Sequence, residues 1–95
     1  MVMLRHFTPG AVTPPHKVTR PEQVDFLAAA IEEYGWQGPP LVGYRVDGGV
    51  QLLSGTHRHA ACRRLGFAMP VVLREFEDVK AAWGDLEKWK QLMDV

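Results

Sequence analysis

The run Leu52-Leu53-Ser54-Gly55-Thr56-His57-Arg58-His59-Ala60-Ala61 holds the residue types best suited to chemistry. A β-rich segment delivers the chain to a glycine, and a helix pattern starts at once. The first N–H groups of a helix lack intrahelical acceptors and sit at the positive end of its dipole. An anion binds readily there, and a glycine lets the backbone approach it with no Cβ in the way. Thr56 adds a hydroxyl, either as helix N-cap or as a direct donor to phosphate. Arg58 would close the site with planar donors matched to phosphate oxygens, and His57 would add a donor or position a proton. Strand–glycine–helix junctions also occur as plain tight turns that bind nothing, and spacing alone leaves both readings open.

The other reactive side chains form no recognisable signature. His57 and His59 are two residues apart, which on a helix turns them in different directions. No Cys/His pair has zinc spacing, so no structural metal is expected. A divalent cation, Mg²⁺ or Mn²⁺, would arrive with nucleotide phosphates. Glu22, Glu32, Glu33, Asp47, Glu75, Glu77 and Asp78 are the carboxylates available for proton transfer, yet none stands in a motif, and the catalytic base stays unassigned. Cys62, the one cysteine, falls on the stripe Arg58, Ala61, Cys62, Leu65 and reads as a small core residue. Arg63 and Arg64 read as solvated, or one of them as reaching a phosphate tail, Trp36 as a rim aromatic or a stacking surface for a base, and His16 as a surface-loop residue.

These residues need elements to hold them. A short strand is expected within Met1–Phe7 and another near Ala11–Thr13, followed by an extended loop through Pro14-Pro15. Thr19 and Glu22 have capping-box spacing, and Pro21 suits a first helical turn. Val24, Leu27, Ala28, Ile31 and Tyr34 then form one apolar stripe, which predicts a helix over residues 20–34 closed by Gly35. Leu41–Val46 and Val50–Leu53 read as strands around an Asp47-Gly48-Gly49 hairpin turn. A helix over 57–65 ends at Gly66, and Pro70 leads into the strand Val71–Leu73. Strand, helix and strand in so short a span predict a right-handed crossover onto the same sheet. A third helix is expected over 78–93, with Val79, Ala82, Trp83, Leu86, Trp89 and Met93 on its core side. Gly84 within it costs about 1 kcal/mol relative to alanine.

Ninety-five residues, 46% of them hydrophobic and 23% charged, describe one ordinary globular domain. Eleven basic and eleven acidic side chains cancel, which disfavours a DNA-coating role, since such binding draws on displaced counterions. A lone cysteine excludes an intrachain disulfide, and no apolar run reads as a signal peptide or membrane span. A cytoplasmic location is the expectation.

Gly55-Thr56-His57-Arg58-His59-Ala60-Ala61, with Leu65-Gly66 closing the helix, resembles the phosphate-binding box of the ParB/sulfiredoxin superfamily. The flanks Gly38-Pro39-Pro40-Leu41-Val42 and Pro70-Val71-Val72 resemble that superfamily's strands, so the likeness runs from about Ala11 to Glu75. It implies an α+β fold, a small mixed β-sheet with three helices, as a single domain over 1–95 with its core in 11–75. It also implies nucleotide binding of the ATP, ADP or CTP class at Gly55, Thr56, His57 and Arg58. Sulfiredoxins carry a cysteine at the position of Thr56, so repair of cysteine sulfinic acid does not carry over. The helix-turn-helix region and second nucleotide motif of partition ParB proteins have no counterpart in these residues, which points to a stand-alone domain. Relatives described as nucleases, ATPases or small-molecule kinases leave hydrolysis, phosphoryl transfer or DNA cleavage open. The alternatives are a non-enzymatic DNA-binding or partition accessory, and a protein-interaction module with a vestigial cradle that docks through the C-terminal helix.

Overall fold

In the computed structural model, which describes residues 3–95, five strands form one mixed sheet. The elements are β1 (Met3–Phe7), a 3-10 turn (Pro9–Ala11), β2 (Val12–Thr13), α1 (Pro21–Tyr34), β3 (Leu41–Val46), β4 (Gly49–Leu52), α2 (Thr56–Leu65), β5 (Met69–Leu73), α3 (Phe76–Ala81) and α4 (Leu86–Met93). The strand order is β1-β5-β3-β4-β2. β3 pairs in parallel with β5 (Leu41 opposite Val71) and antiparallel with β4 (Arg45 opposite Val50). β1 is antiparallel to β5, and β2 is parallel to β4. The first expected strand is β1; Met1 and Val2 lie outside the described residues.

A short connection shapes this sheet. β1 and β2 are its two edges, yet only residues 8–11 join them. Four interstrand gaps in a flat sheet span about 19 Å. Those residues, partly coiled into the 3-10 turn, reach less than that. The sheet therefore curls, bringing its edges toward each other around the packed helices.

α1 and α2 cover one face. Val24, Ala28 and Ile31 of α1, with Ala61 and Cys62 of α2, pack on Leu41, Val50, Leu52, Met69 and Val71. The predicted stripe of α1 is buried at these positions, whereas Tyr34, in the last turn, is 68% exposed. Successive strand residues face opposite sides, and Tyr44 of β3 joins a second cluster formed by Val79, Ala82 and Leu92 with Trp89 and Leu53. Arg74 ties this cluster to the sheet, since its Nε donates to the Leu92 carbonyl at 2.8 Å and its Nη2 to that of Asp94 at 3.0 Å.

Three local readings are corrected. Pro21 occupies the first helical turn, but this makes Arg20 the N-cap, so Thr19 lies one residue outside and no capping box with Glu22 forms. α2 does return the chain to the same sheet, but β4 and β5 run antiparallel with β3 between them, so the expected right-handed crossover between parallel strands does not form there. The third helix is two helices. Gly84 takes φ 78°, open to glycine and strained for other residues, and Asp85 caps α4 by accepting from the Lys88 N–H at 3.2 Å. A glycine stop followed by an aspartate start outweighs continuous periodicity, because the cap contributes about 1 kcal/mol.

The break shifts the phase of everything beyond it. Beyond it Leu92 is buried and Leu86 exposed, and Trp83, in the turn just before Gly84, is 77% exposed. Trp83 and Leu86 thus line an open apolar groove instead of core, and Trp89 lines it while also packing on the second cluster. Leu92→Ala is therefore expected to cost about 2–3 kcal/mol, and Trp83→Ala no more than about 0.5 kcal/mol. Urea unfolding of the two variants checks this; a large loss for Trp83→Ala would contradict the phasing.

Candidate phosphate-binding site

β4 runs out at Leu52, and Leu53 extends its pairing by donating to the Val42 carbonyl at 2.9 Å. The chain then reverses at Gly55, the N-cap of α2, with φ 92° and ψ 29°. Two constraints demand glycine there. The backbone is left-handed, and a Cβ would drive into the Leu41 side chain. The Gly55 carbonyl accepts from His59 N–H at 2.8 Å as the first bond of the helix. The N–H groups of Thr56, His57 and Arg58 precede that bond and have no backbone acceptor among the described residues.

The four predicted residues come together, but with unequal roles. Gly55 takes the cap position, one of the two roles open to Thr56 in the sequence. Thr56 stands first in the helix, 3% exposed, and its Oγ1 is buried with no hydrogen-bond partner. An unpaired buried hydroxyl costs about 1–3 kcal/mol, so this atom lacks an acceptor or donor that the protein does not itself supply. His57 turns toward the start of α1. Its Nε2 accepts from Arg20 N–H at 3.1 Å, with Thr19 Oγ1 at 3.5 Å, so the proton of the ring sits on Nδ1. The His16 ring stands edge-on to it, centroids 6.4 Å apart. Arg58 turns the other way, toward the loop after α1, where its Nη1 donates to the Pro39 carbonyl at 3.3 Å and its guanidinium lies 5.2 Å from the Trp36 ring.

A cleft opens at this helix entrance between Ser54–Arg58 and the start of α1, which contributes Thr19 and Gln23. Sequence reasoning used Thr19 for a cap and did not place Gln23 here; no local signal marks either, because tertiary packing of α1 on α2 brings them in. None of the seven candidate carboxylates lines the cleft. Among the described residues no group of three His, Cys, Asp or Glu is placed to hold a metal ion.

Two further polar side chains of α2, His59 and Arg64, have structural partners. His59 is buried and donates from Nε2 to the Pro9 carbonyl at 3.1 Å, which pins the 3-10 turn to the helix. Arg64 pairs with Asp25 of α1 at 2.8 Å on the surface, a contact of small energetic weight. Cys62 is 0% exposed, and burial pushes its thiol up to about 11, with the charge of Arg58 opposing. It is a core residue, and its buried thiol is not poised as a nucleophile.

A curled mixed sheet with a glycine-initiated helix at its edge defines a small α+β domain of the ParB and sulfiredoxin fold. The chain belongs to the ParB N-terminal domain family, whose model matches residues 1–87. Sulfiredoxin from Arabidopsis thaliana superposes with a TM-score of 0.67 at 24% identity, over 83% of this chain and 94% of that one. The C-terminally truncated chromosome-partitioning protein ParB from Caulobacter crescentus, complexed with CTP-gamma-S, superposes with a TM-score of 0.69 at 22% identity. That match covers 98% of this chain and 56% of the partition protein, so the chain spans about half of that relative. A conserved hypothetical protein from Pyrococcus furiosus matches with a TM-score of 0.61 at 17% identity, over 79% of this chain and 32% of that one. No curated protein matches the chain in sequence.

Two outcomes check the site's construction. Gly48 has φ 81° with open space where a Cβ would go, so Gly48→Ala carries backbone strain alone, about 1 kcal/mol. Gly55→Ala adds the collision with Leu41 and is expected to cost about 2 kcal/mol more. Equal losses on urea unfolding would show that Leu41 imposes nothing. The raised Cys62 thiol sets a pH dependence. The unfolded thiol ionises near 9.0 and the folded one near 11, so this group's stabilisation is full below pH 9 and is lost as pH rises through 11. The urea midpoint should fall less over that window in Cys62→Ala than in the wild type.

Proposed function

We propose that the domain binds a nucleotide by its phosphates at the N-terminus of α2, with Gly55, Thr56, His57 and Arg58 as the cradle. The observation that carries this reading is the set of donors left unused at one point: three helix N–H groups and the buried, unpaired Thr56 hydroxyl. Phosphate oxygens supply the acceptors that this set lacks. Arg58 contributes charge without an acidic partner among the described residues. His57 contributes Nδ1–H only, since Nε2 is committed to Arg20. The ligand class is ATP, ADP or CTP, and the CTP-gamma-S complex of the Caulobacter ParB domain, which has the same fold, supports the last of these.

Any Mg²⁺ or Mn²⁺ would be held by the nucleotide's own oxygens and water, because no carboxylate lines the cleft. The same lack of a carboxylate supports binding over hydrolysis, phosphoryl transfer or nuclease chemistry, which call for a base or metal ligand beside the phosphate. A DNA partner is disfavoured by the balance of eleven basic and eleven acidic residues. The second reading is protein docking at the groove of Trp83, Leu86 and Trp89, and it rests on the exposure of Trp83.

Thermal unfolding with ATP, ADP, CTP and GTP, each with and without Mg²⁺, decides between them. A ligand at a hundred times its Kd adds about 2.7 kcal/mol, a rise of roughly 10–20 °C for a domain of this size. The expected result is a rise with at least one nucleotide that is strongly reduced in Arg58→Ala. No rise with any of them would overturn the proposal and leave the docking surface; an unaltered rise in Arg58→Ala would remove Arg58 from the site.

A further inference from the structure

We propose that the loop after α1 is a seat for the Arg58 guanidinium, and that Trp36 is a positioning residue which acts on phosphate affinity through Arg58. This rests on the cradle reading above for its ligand, though not for its geometry. The Trp36 ring lies 5.2 Å from Arg58 Cζ, within cation–π range. Trp36 Nε1–H donates to the Pro39 carbonyl at 3.2 Å, and Arg58 Nη1–H donates to the same oxygen at 3.3 Å. One acceptor thus sets the indole and the guanidinium relative to each other.

The third side of the seat is an absence of side chain. A Cβ on Gly38 would stand 3.3 Å from Arg58 Nη2, closer than an ordinary contact, and Gly38 has φ 86°. The loop is stiff as well. Pro39 and Pro40 restrict it, Gly35 N–H returns to the Ile31 carbonyl at 2.8 Å, and Trp36 packs on the first core.

A guanidinium carries five N–H donors, and the seat consumes one. Its plane is held while the other donors stay available at the edge of the cleft. A long, flexible arginine otherwise loses its rotamer freedom when it grips a phosphate. Here that ordering is done before the ligand arrives, which is the way preorganisation raises affinity.

The seat is tested first without ligand. In ¹H–¹⁵N NMR spectra, the Arg58 side-chain N–H signal should be displaced by the indole ring current and should move toward its ordinary position in Trp36→Leu. An identical signal in both proteins would overturn the seat whatever the domain binds. The second arm titrates inorganic triphosphate calorimetrically into wild type, Trp36→Leu, Arg58→Ala and the double variant, with melting curves confirming that each is folded. Trp36→Leu should weaken binding about tenfold when Arg58 is present and have no effect when it is absent. Trp36→Phe, which keeps an aromatic face, should recover most of the loss. Equal weakening in both backgrounds, or none in either, overturns the positioning role. Failure of triphosphate to bind the wild type overturns the cradle instead, and the NMR arm still decides the seat.

Discussion

The close approach of Gly55 to Leu41 is the contact from which the rest of the site follows. Leu41 is both the first residue of β3, the central strand, and part of the main core. A left-handed glycine set directly over it turns the chain from β4 into α2 with no room to spare. The helix must begin there, at the edge of the sheet, with its unpaired N–H groups facing out. A longer turn would satisfy those groups with water and move them away from α1. The tightness that makes the junction costly to alter is also what concentrates the donors.

α1 serves as the brace for this junction. Consecutive helical residues point about 100° apart, and His57 and Arg58 use that divergence. His57 holds the backbone at the start of α1 through Arg20 N–H, and Arg58 holds the loop beyond its end through Pro39 and Trp36. The apolar contacts of Ala61 and Cys62 with the same core fix the helix axis between them. Both side chains therefore have structural partners that lock their orientation in the ligand-free domain. His57 loses one ring nitrogen to this task, while Arg58 keeps most of its donors.

The far face of the sheet follows a different logic. α3 and α4 bury a small cluster beneath them and are tied down by Arg74 at the C-terminus of α4. Trp83 and Leu86 remain outside it. This half of the molecule packs on the face of the sheet opposite α1 and α2 and presents a separate apolar surface.

Much of this was readable in the residue order. The stripe of α1, the hairpin at Asp47-Gly48 and the stop of α2 at Gly66 all depend on neighbours within a few positions, so periodicity and turn chemistry carry them. The family likeness rested on the same local features. Three errors share one cause. Thr19 and Glu22 had the spacing of a cap, but Pro21 set the boundary one residue later; Gly84 was weighed as a tolerated defect without its neighbour Asp85; and the strands around α2 were read as a crossover, although β3 between them leaves them antiparallel. In each case a competing contact, local or distant, decided among readings that the pattern alone allowed. The chain by itself determined where donors would be left unpaired, because helix starts are written in short range. Only the tertiary structure decided which side chains stay free to use them, because His57, Arg58 and Thr56 are committed or left unpaired by residues nineteen to thirty-seven positions away or by burial.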